Sequence, residues 1–134
     1  MGHLRNTRSK YLEKPATPDE DRIANLIEKM SWGINNNDLD SFIGVFSESA
    51  QVALFEDNKK LFSKEECKKF MKKVIPGIKE IFYSDIFIRA KENEAIVSCI
   101  GHTFFRDGRS KVFERYFSCQ KENNVWLITK AGYR

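Results

Sequence analysis

Histidine and cysteine are scarce in this chain, and their scarcity excludes the common structural metal sites. The 134 residues include two histidines, His3 and His102, and three well-separated cysteines, Cys67, Cys99 and Cys119. A structural zinc site needs about four clustered nitrogen or sulfur ligands, so we expect no metal. An odd number of cysteines without a CxxC pair is typical of reduced, buried thiols in a reducing compartment.

Long apolar runs and cofactor-binding motifs are also missing. No apolar stretch approaches the ~20 residues that span a bilayer, and the basic segment 1–14 lacks the apolar centre of a secretory signal. We therefore expect a cytoplasmic protein with no membrane partner. P-loop, GxGxxG, HExxH and GxSxG patterns are absent from the sequence, so we expect neither a cofactor nor a serine nucleophile.

The net charge of +4 arises from basic residues in two places, the N-terminal tail and the segment 59–79. In the second place the lysines are interleaved with Glu65, Glu66 and Glu80. This mixture is typical of a solvated helix face and argues against a nucleic-acid surface. Nucleic acid is therefore only a minor alternative partner.

The length predicts a single domain. Residues 1–18 carry no apolar periodicity, so we expect a basic extension that is flexible or loosely docked, followed by one domain over residues 19–134. Phenylalanine accounts for 11 of the 134 residues. So many large aromatic side chains indicate a core that is thick or that lines a cavity.

Three helices are predicted in the first half of the chain. Thr17 is a capping residue before a proline and two acids, and apolar residues then recur at helical spacing as far as the asparagines 35–37. Asp38 caps a short second helix. Ser63 begins a capping box for a third helix over 64–74.

The rest of the chain predicts β-structure, with a short strand at 52–55 and long strands at 81–90, 94–106, 111–121 and 125–133. This order predicts the α+β class, a cone-shaped roll of N-terminal helices packed on a curved, mostly antiparallel sheet. Apolar residues occupy both faces of the strand 94–106, and the helices can cover only one. We therefore expect a homodimer through the outer sheet face.

Several short pieces, taken together, resemble the nuclear transport factor 2-like (SnoaL-like) superfamily. They are INNNDLDSF at 34–42, FS at 46–47, AQV at 50–52, NEAIV at 93–97, DGR at 107–109 and WLI at 126–128. The resemblance spans residues 19–133 and implies a cone-shaped pocket between the helices and the concave sheet face. It does not specify a function, because this fold hosts isomerases, cyclases, dehydratases, epoxide hydrolases and non-catalytic modules.

The resemblance also implies which side chains face a small apolar molecule in the pocket. The expected ligand-binding residues are Met30, Ile34, Phe46, Leu54, Phe70, Cys99, Thr103, Phe113 and Phe117. This assignment needs a three-residue hairpin loop at 106–108, with Gly108 in the left-handed conformation. A two-residue loop would shift the pairing by one and place His102 opposite Phe113, and the sequence leaves both registers open.

Ketosteroid isomerases of this superfamily use a tyrosine, a carboxylate base and a protonated aspartic acid. The resemblance places Met30, Leu54 and Phe117 at those positions. All three side chains are apolar and can neither accept nor donate a proton, so we do not expect this activity.

For other reactions without a cofactor, the polar residues expected near the pocket are Glu56, Tyr83, Asp85, His102 and Arg115. Arg115 would anchor a ligand oxygen, and Asp85 or His102 would act as acid or base. Each has a structural alternative: an Arg115 paired with Glu114, an exposed Asp85, and a His102 hydrogen-bonded at a dimer interface. Two functions stay open, an isomerase, cyclase, dehydratase or hydrolase of an apolar oxygenated compound, and a non-catalytic dimerisation or ligand-binding module.

Overall fold

The computed structural model describes residues 9–57 and 59–134. Their elements are α1 (Pro18–Asn35), α2 (Leu39–Ile43), β1 (Phe46–Ala53), β2 (Leu61–Phe62), α3 (Lys64–Val74), a 3-10 turn (Ile75–Gly77), β3 (Ile78–Lys91), β4 (Glu94–Phe105), β5 (Ser110–Glu122) and β6 (Val125–Tyr133). The predicted α+β fold is therefore confirmed. The part of the predicted N-terminal extension at 1–8 lies outside the described residues.

The strands form one six-stranded sheet in the order β2-β1-β6-β5-β4-β3. Strands β1 and β6 are parallel, and the other neighbours are antiparallel. The helices pack on one face, which we call the inner face; the opposite side is the outer face. The buried core lies between them and includes Ile23, Ile27 and Met30 of α1 with Phe117 of β5.

The predicted helix starts are present as hydrogen-bonded caps. The hydroxyl of Thr17 accepts from the amide of Glu20 at 3.1 Å, and the capping box of α3 is complete in both directions. Such caps satisfy backbone groups that have no partner inside the helix. Helix α1 has residues 20, 23, 27, 30, 31 and 34 among its buried positions, which fits the predicted apolar face.

The first strand is longer than predicted. It begins at Phe46 rather than at residue 52, because the chain leaves α2 directly into the sheet, where the backbone carbonyl of Val45 accepts from the amide of Ile128. Strand β2 was not predicted, because its two paired residues are too few to show an alternation of apolar and polar side chains. Strand β3 begins three residues earlier than predicted, at Ile78.

A β-bulge interrupts the outermost strand, β3. Its pairing with β4 shifts between Ser84 and Phe87, and Asp85 lies in the left-handed region at φ +50°. Aspartate tolerates this conformation better than most residues, which explains an aspartate in the middle of a strand. The bulge also lets Ile86 pair with a segment outside the sheet.

That segment is the described part of the N-terminal extension. The amide of Ile86 donates to the carbonyl of Lys10 at 3.1 Å, and the amide of Leu12 donates to the carbonyl of Ile86 at 2.9 Å. The hydroxyl of Tyr11 donates to Glu28 of α1 at 3.0 Å. Residues 10–12 are therefore docked along the edge strand β3.

Candidate functional site

A cavity of about 220 Å³ lies between the helices and the inner face of the sheet. Its walls are mostly apolar: Met30 and Ile34 come from α1, Phe70 from α3, and Phe113 and Phe117 from β5. A concave, largely apolar space with a few polar groups is the usual form of a small-molecule site. No helix in residues 9–57 or 59–134 has the length and apolarity that crossing a bilayer requires.

The predicted ligand-facing residues line this cavity with one exception. Met30, Ile34, Phe46, Leu54, Phe70, Thr103, Phe113 and Phe117 all contribute to its walls. Cys99 does not. It is 5% exposed, and it lies at a smaller surface cleft that also includes Arg115.

The register that places these side chains is the three-residue hairpin. The amide of Phe105 donates to the carbonyl of Arg109 across the loop 106–108, and Gly108 has φ +93°. Gly101 is therefore opposite Phe113, and Cys99 opposite Arg115. This alternative is confirmed, and the one that placed His102 opposite Phe113 is wrong.

Arg115 is the half-buried cation of the cavity wall. Its side chain is half-buried, its Nε donates to the carbonyl of Gly132 at 3.1 Å, and its Nη2 lies 3.5 Å from the carbonyl of Ala53. Its guanidinium carbon lies 3.9 Å from the ring centroid of Tyr133 and 5.4 Å from that of Phe117. Stacking and carbonyl contacts hold the guanidinium while leaving other N–H donors for a ligand.

Tyr83 is the second polar group in the wall. It is 2% exposed, and its ring meets that of Phe117 edge to face at 6.1 Å. Burial raises the pKa of the Tyr83 hydroxyl above its ordinary value, although nearby Arg115 acts in the opposite direction. The hydroxyl is therefore neutral at physiological pH and can donate a hydrogen bond.

Gly101 lets Tyr83 and Arg115 approach each other. A β-carbon at this position would lie 3.4 Å from both the Tyr83 ring and the Arg115 side chain. Its lack of a side chain leaves that part of the inner face to the Tyr83 ring and the aliphatic part of Arg115. Tyr83 and Arg115 are therefore neighbouring polar side chains in a mostly apolar cavity wall.

Two predicted catalytic residues, Asp85 and His102, do not line the cavity. Asp85 is exposed at the bulge of β3. His102 lies on the outer face, because side chains alternate along β4 and its neighbours Gly101 and Thr103 occupy the inner face. Its ring stacks on Phe82 at 4.5 Å and shares a 2.7 Å hydrogen bond with Ser84.

The three cysteines are buried, as predicted, and are free thiols. Burial raises the pKa of each of Cys67, Cys99 and Cys119 to about 12. A nucleophilic or metal-binding cysteine needs an accessible thiolate. These thiols are packing residues, and no cluster of metal-ligating side chains occurs in the part of the chain that the structure describes.

Sequence reasoning missed several lining residues, including Phe55, Lys111 and Tyr133. Lys111 could have been found, because it lies two positions before Phe113 on the same face of β5. Tyr133 pairs with Arg115 only after a register shift between Ser118 and Cys119, which the sequence does not signal. Glu56, which was expected near the pocket, does line the cavity, and its residue is exposed to solvent.

No protein-family model matches this chain, and neither does any curated protein. Solved structures do. A cystatin-like protein of unknown function from Nostoc punctiforme has a TM-score of 0.75 at 15% identity, covering 90% of this chain and 93% of that one. A nuclear transport factor 2-like protein of unknown function from Shewanella oneidensis has a TM-score of 0.74 at 18% identity, covering 86% and 98%.

This chain has the nuclear transport factor 2-like fold. A candidate scytalone dehydratase from Novosphingobium aromaticivorans is also similar, with a TM-score of 0.71 at 16% identity over 87% of this chain and 83% of that one. The superfamily resemblance in the sequence thus agrees with the structure. Within the nuclear transport factor 2-like fold, Met30, Leu54 and Phe117 line the cavity with apolar side chains.

Proposed function

We propose that this protein binds a small, mostly apolar molecule whose oxygen function is held at Arg115. The observation that carries the proposal is the half-buried guanidinium in the wall of an apolar cavity. The volume of about 220 Å³ is below the roughly 300–1,000 Å³ of sites for drug-sized ligands, so the ligand would be one ring or a short chain. A cytoplasmic location is part of the proposal, since the cysteines are unpaired.

A reaction in this cavity would be an isomerisation, cyclisation, dehydration or hydrolysis without a cofactor. Arg115 and Tyr83 would polarise a carbonyl oxygen, and a base would be needed to move a proton. Glu56 carries the one carboxylate among the described lining residues, and its side chain is exposed. The dehydratase name of one structural neighbour supports testing dehydration. Binding is the simpler proposal, because it needs only the groups that hold the ligand oxygen and no base.

The test is a thermal-shift screen with small ketones, epoxides, hydroxyaromatics and carboxylates, with steroids as oversized controls. A ligand at 100 times its dissociation constant adds about 2.7 kcal/mol to the free energy of unfolding, which raises the melting temperature by several degrees. We expect a shift from at least one small class that is lost in Arg115→Leu.

A matched pair of bulky variants separates cavity binding from surface binding. Leu54→Trp would fill part of the cavity and should abolish the shift, whereas Leu12→Trp, at a position 69% exposed, should keep it. A shift that survives Leu54→Trp, or no shift from any small class, would contradict the proposal.

The second candidate function is a homodimer formed through the outer face. The observation that favours it is the exposure of apolar side chains there, with Ile96 62% and Val112 57% exposed. The Phe82 ring on this face is stacked with the rings of both His102 and Phe104. Monomeric proteins rarely leave such a continuous apolar surface in water.

Two exposed charges on the outer face, Arg89 and Glu114, have opposite signs. In a two-fold symmetric dimer, a contact between Arg89 of one copy and Glu114 of the other copy would occur twice, once on each side of the symmetry axis. Sedimentation velocity tests the proposal: we expect dimers, and monomers for Ile96→Glu or Val112→Glu. Leu61→Glu, on β2, should leave the dimer intact; a monomeric wild-type protein would rule the interface out.

A further inference from the structure

We infer that the ligand of this cavity is an anion, a small apolar carboxylate whose oxygens are bound by Arg115 and Tyr83. This inference rests on the proposed binding function and names its ligand class. Three observations support it: the charges of the cavity wall, the N–H donors of Arg115 that are left after its bonds to Gly132 and Ala53, and the closeness of Tyr83 and Arg115 at Gly101.

Arg115 forms no salt bridge in the described part of the chain, and Asp85 and Glu114 line only the smaller surface cleft that Arg115 also borders. Its contacts are two backbone carbonyl oxygens and two aromatic rings, and the salt bridges among the described residues involve other cations. A half-buried cation without an anionic partner is unfavourable. A carboxylate ligand would supply the missing charge, whereas a neutral ketone or alcohol would not.

The remaining donors of Arg115 match a carboxylate in number and geometry. A guanidinium has five N–H donors in a planar fork, and the bonds to Gly132 and Ala53 occupy two of them. The other donors include both of those on Nη1. Charge-assisted bonds from such a fork to a carboxylate are about twice as strong as bonds to a neutral acceptor.

Tyr83 would add a further donor to the same oxygens. A β-carbon at Gly101 would lie 3.4 Å from both the Tyr83 ring and Cγ of Arg115, so the two side chains are neighbours on the inner face. Because burial raises the pKa of its hydroxyl, Tyr83 keeps its proton when a carboxylate approaches. The phenol and guanidinium then act together as donors.

The other charged side chains of the wall are consistent with an anionic ligand. Lys111 lines the cavity four positions before Arg115 on the same face of β5. Glu56 is the one acidic residue among the described lining residues, and both Lys111 and Glu56 are exposed. The wall therefore carries two cations and one carboxylate, and this balance favours an anion over a cation.

The experiment compares carboxylates with their neutral amides by isothermal titration calorimetry on the wild-type protein. The probes are hexanoate, cyclohexanecarboxylate and phenylacetate, each paired with the amide of the same carbon skeleton. We expect at least one carboxylate to bind about 10-fold or more tightly than its amide, the difference that hydrogen bonds to a charged group confer. Affinity should be constant between about pH 6 and 9, since a small carboxylic acid is ionised throughout this range and burial raises the pKa of Tyr83.

Two variants locate the effect. Arg115→Met should reduce the carboxylate–amide difference to about 1-fold, and Tyr83→Phe, which removes one hydroxyl, should weaken the carboxylate by several-fold. If Arg115→Met does not fold, the inference is still tested by the carboxylate and amide affinities of the wild-type protein and by the carboxylate affinity of Tyr83→Phe. Circular dichroism melting checks the fold of each variant.

The outcomes separate this inference from the proposed function. If amides bind as tightly as carboxylates, the anion assignment is wrong while the cavity remains a binding site. If the carboxylate preference survives both variants, the anion is bound elsewhere and the inference is also overturned. If neither carboxylates, amides nor the neutral compounds of the thermal-shift screen bind, the proposed function and this inference fail together.

Discussion

Gly33 of α1 lies against the backbone of α2 and of its capping residue, Asp38. A β-carbon there would lie 2.7 Å from the amide nitrogen of Phe42 and 2.9 Å from the carbonyl oxygen of Asp38. Both atoms belong to the backbone and cannot rotate away. The glycine therefore sets the distance between two helices, and through Phe42 it influences the cavity wall.

We predict that Gly33→Ala destabilises the protein, although alanine favours a helix by about 1 kcal/mol over glycine. The steric overlap should outweigh that preference and lower the free energy of unfolding by about 1–3 kcal/mol. Urea denaturation measures it. Gly77→Ala is the matched control, because nothing lies within 4 Å of its added β-carbon; an equally large loss there would contradict the explanation.

At the scale of elements, Asp19 joins the start of α1 to the β5–β6 hairpin. Its carboxylate accepts from the indole of Trp126 at 3.0 Å and lies 3.4 Å from the ammonium of Lys121. The Trp126 hydrogen bond is the main cause that holds the pKa of Asp19 below its ordinary value of 3.8, and Lys121 and Arg22 add to it.

This connection predicts a pH dependence of stability. Because the folded-state pKa of Asp19 lies below its unfolded-state value, its contribution is fully present above about pH 4 and is lost as the pH falls through the folded-state pKa. Asp19→Asn should therefore show a smaller loss of stability between neutral pH and about pH 3 than the wild type. Urea midpoints at the two pH values test this, with Asp21→Asn, exposed on the same helix, as control.

Glu20 of α1 connects the segment before the helix to β3 through a buried carboxylate. It is 7% exposed, and its two oxygens accept from the backbone amides of Ala16 and Ala90 at 3.0 and 3.1 Å. Glu20→Ala would leave the Ala90 amide at the end of β3 without its acceptor. We predict a loss of about 1.5–3 kcal/mol in the free energy of unfolding, and Glu13→Ala, which is exposed, should lose much less.

The elements also show how far a sequence can predict the site. Helix starts and the β4–β5 loop follow from local signals such as Thr17, Ser63 and Gly108, so most of the cavity wall could be predicted. Asp85 could not be placed, because its bulge depends on pairing with β4 and with residues 10–12. The contact of Arg115 with Tyr133 depends on a second irregularity, in β5–β6 pairing, which no local pattern encodes.

At the scale of the whole molecule, the inner face borders the core and the cavity, and the outer face exposes apolar side chains such as Ile96 and Val112. If the outer face forms the proposed dimer, folding and association are coupled, and stability depends on concentration. We predict that the melting temperature of the wild type rises with protein concentration and that of Val112→Glu does not. Differential scanning calorimetry over a wide concentration range tests this, and identical concentration dependence in both proteins would contradict it.

The docked segment 10–12 has a consequence for how the protein behaves when it is cut. The sheet ends at β2, which is two residues long, and at β3, whose edge at Ile86 is hydrogen-bonded to Lys10 and Leu12. An uncovered strand edge recruits strands from other chains. Truncation that removes the segment 10–12 should therefore expose the β3 edge at Ile86 and increase self-association of the protein, which light scattering over time would measure.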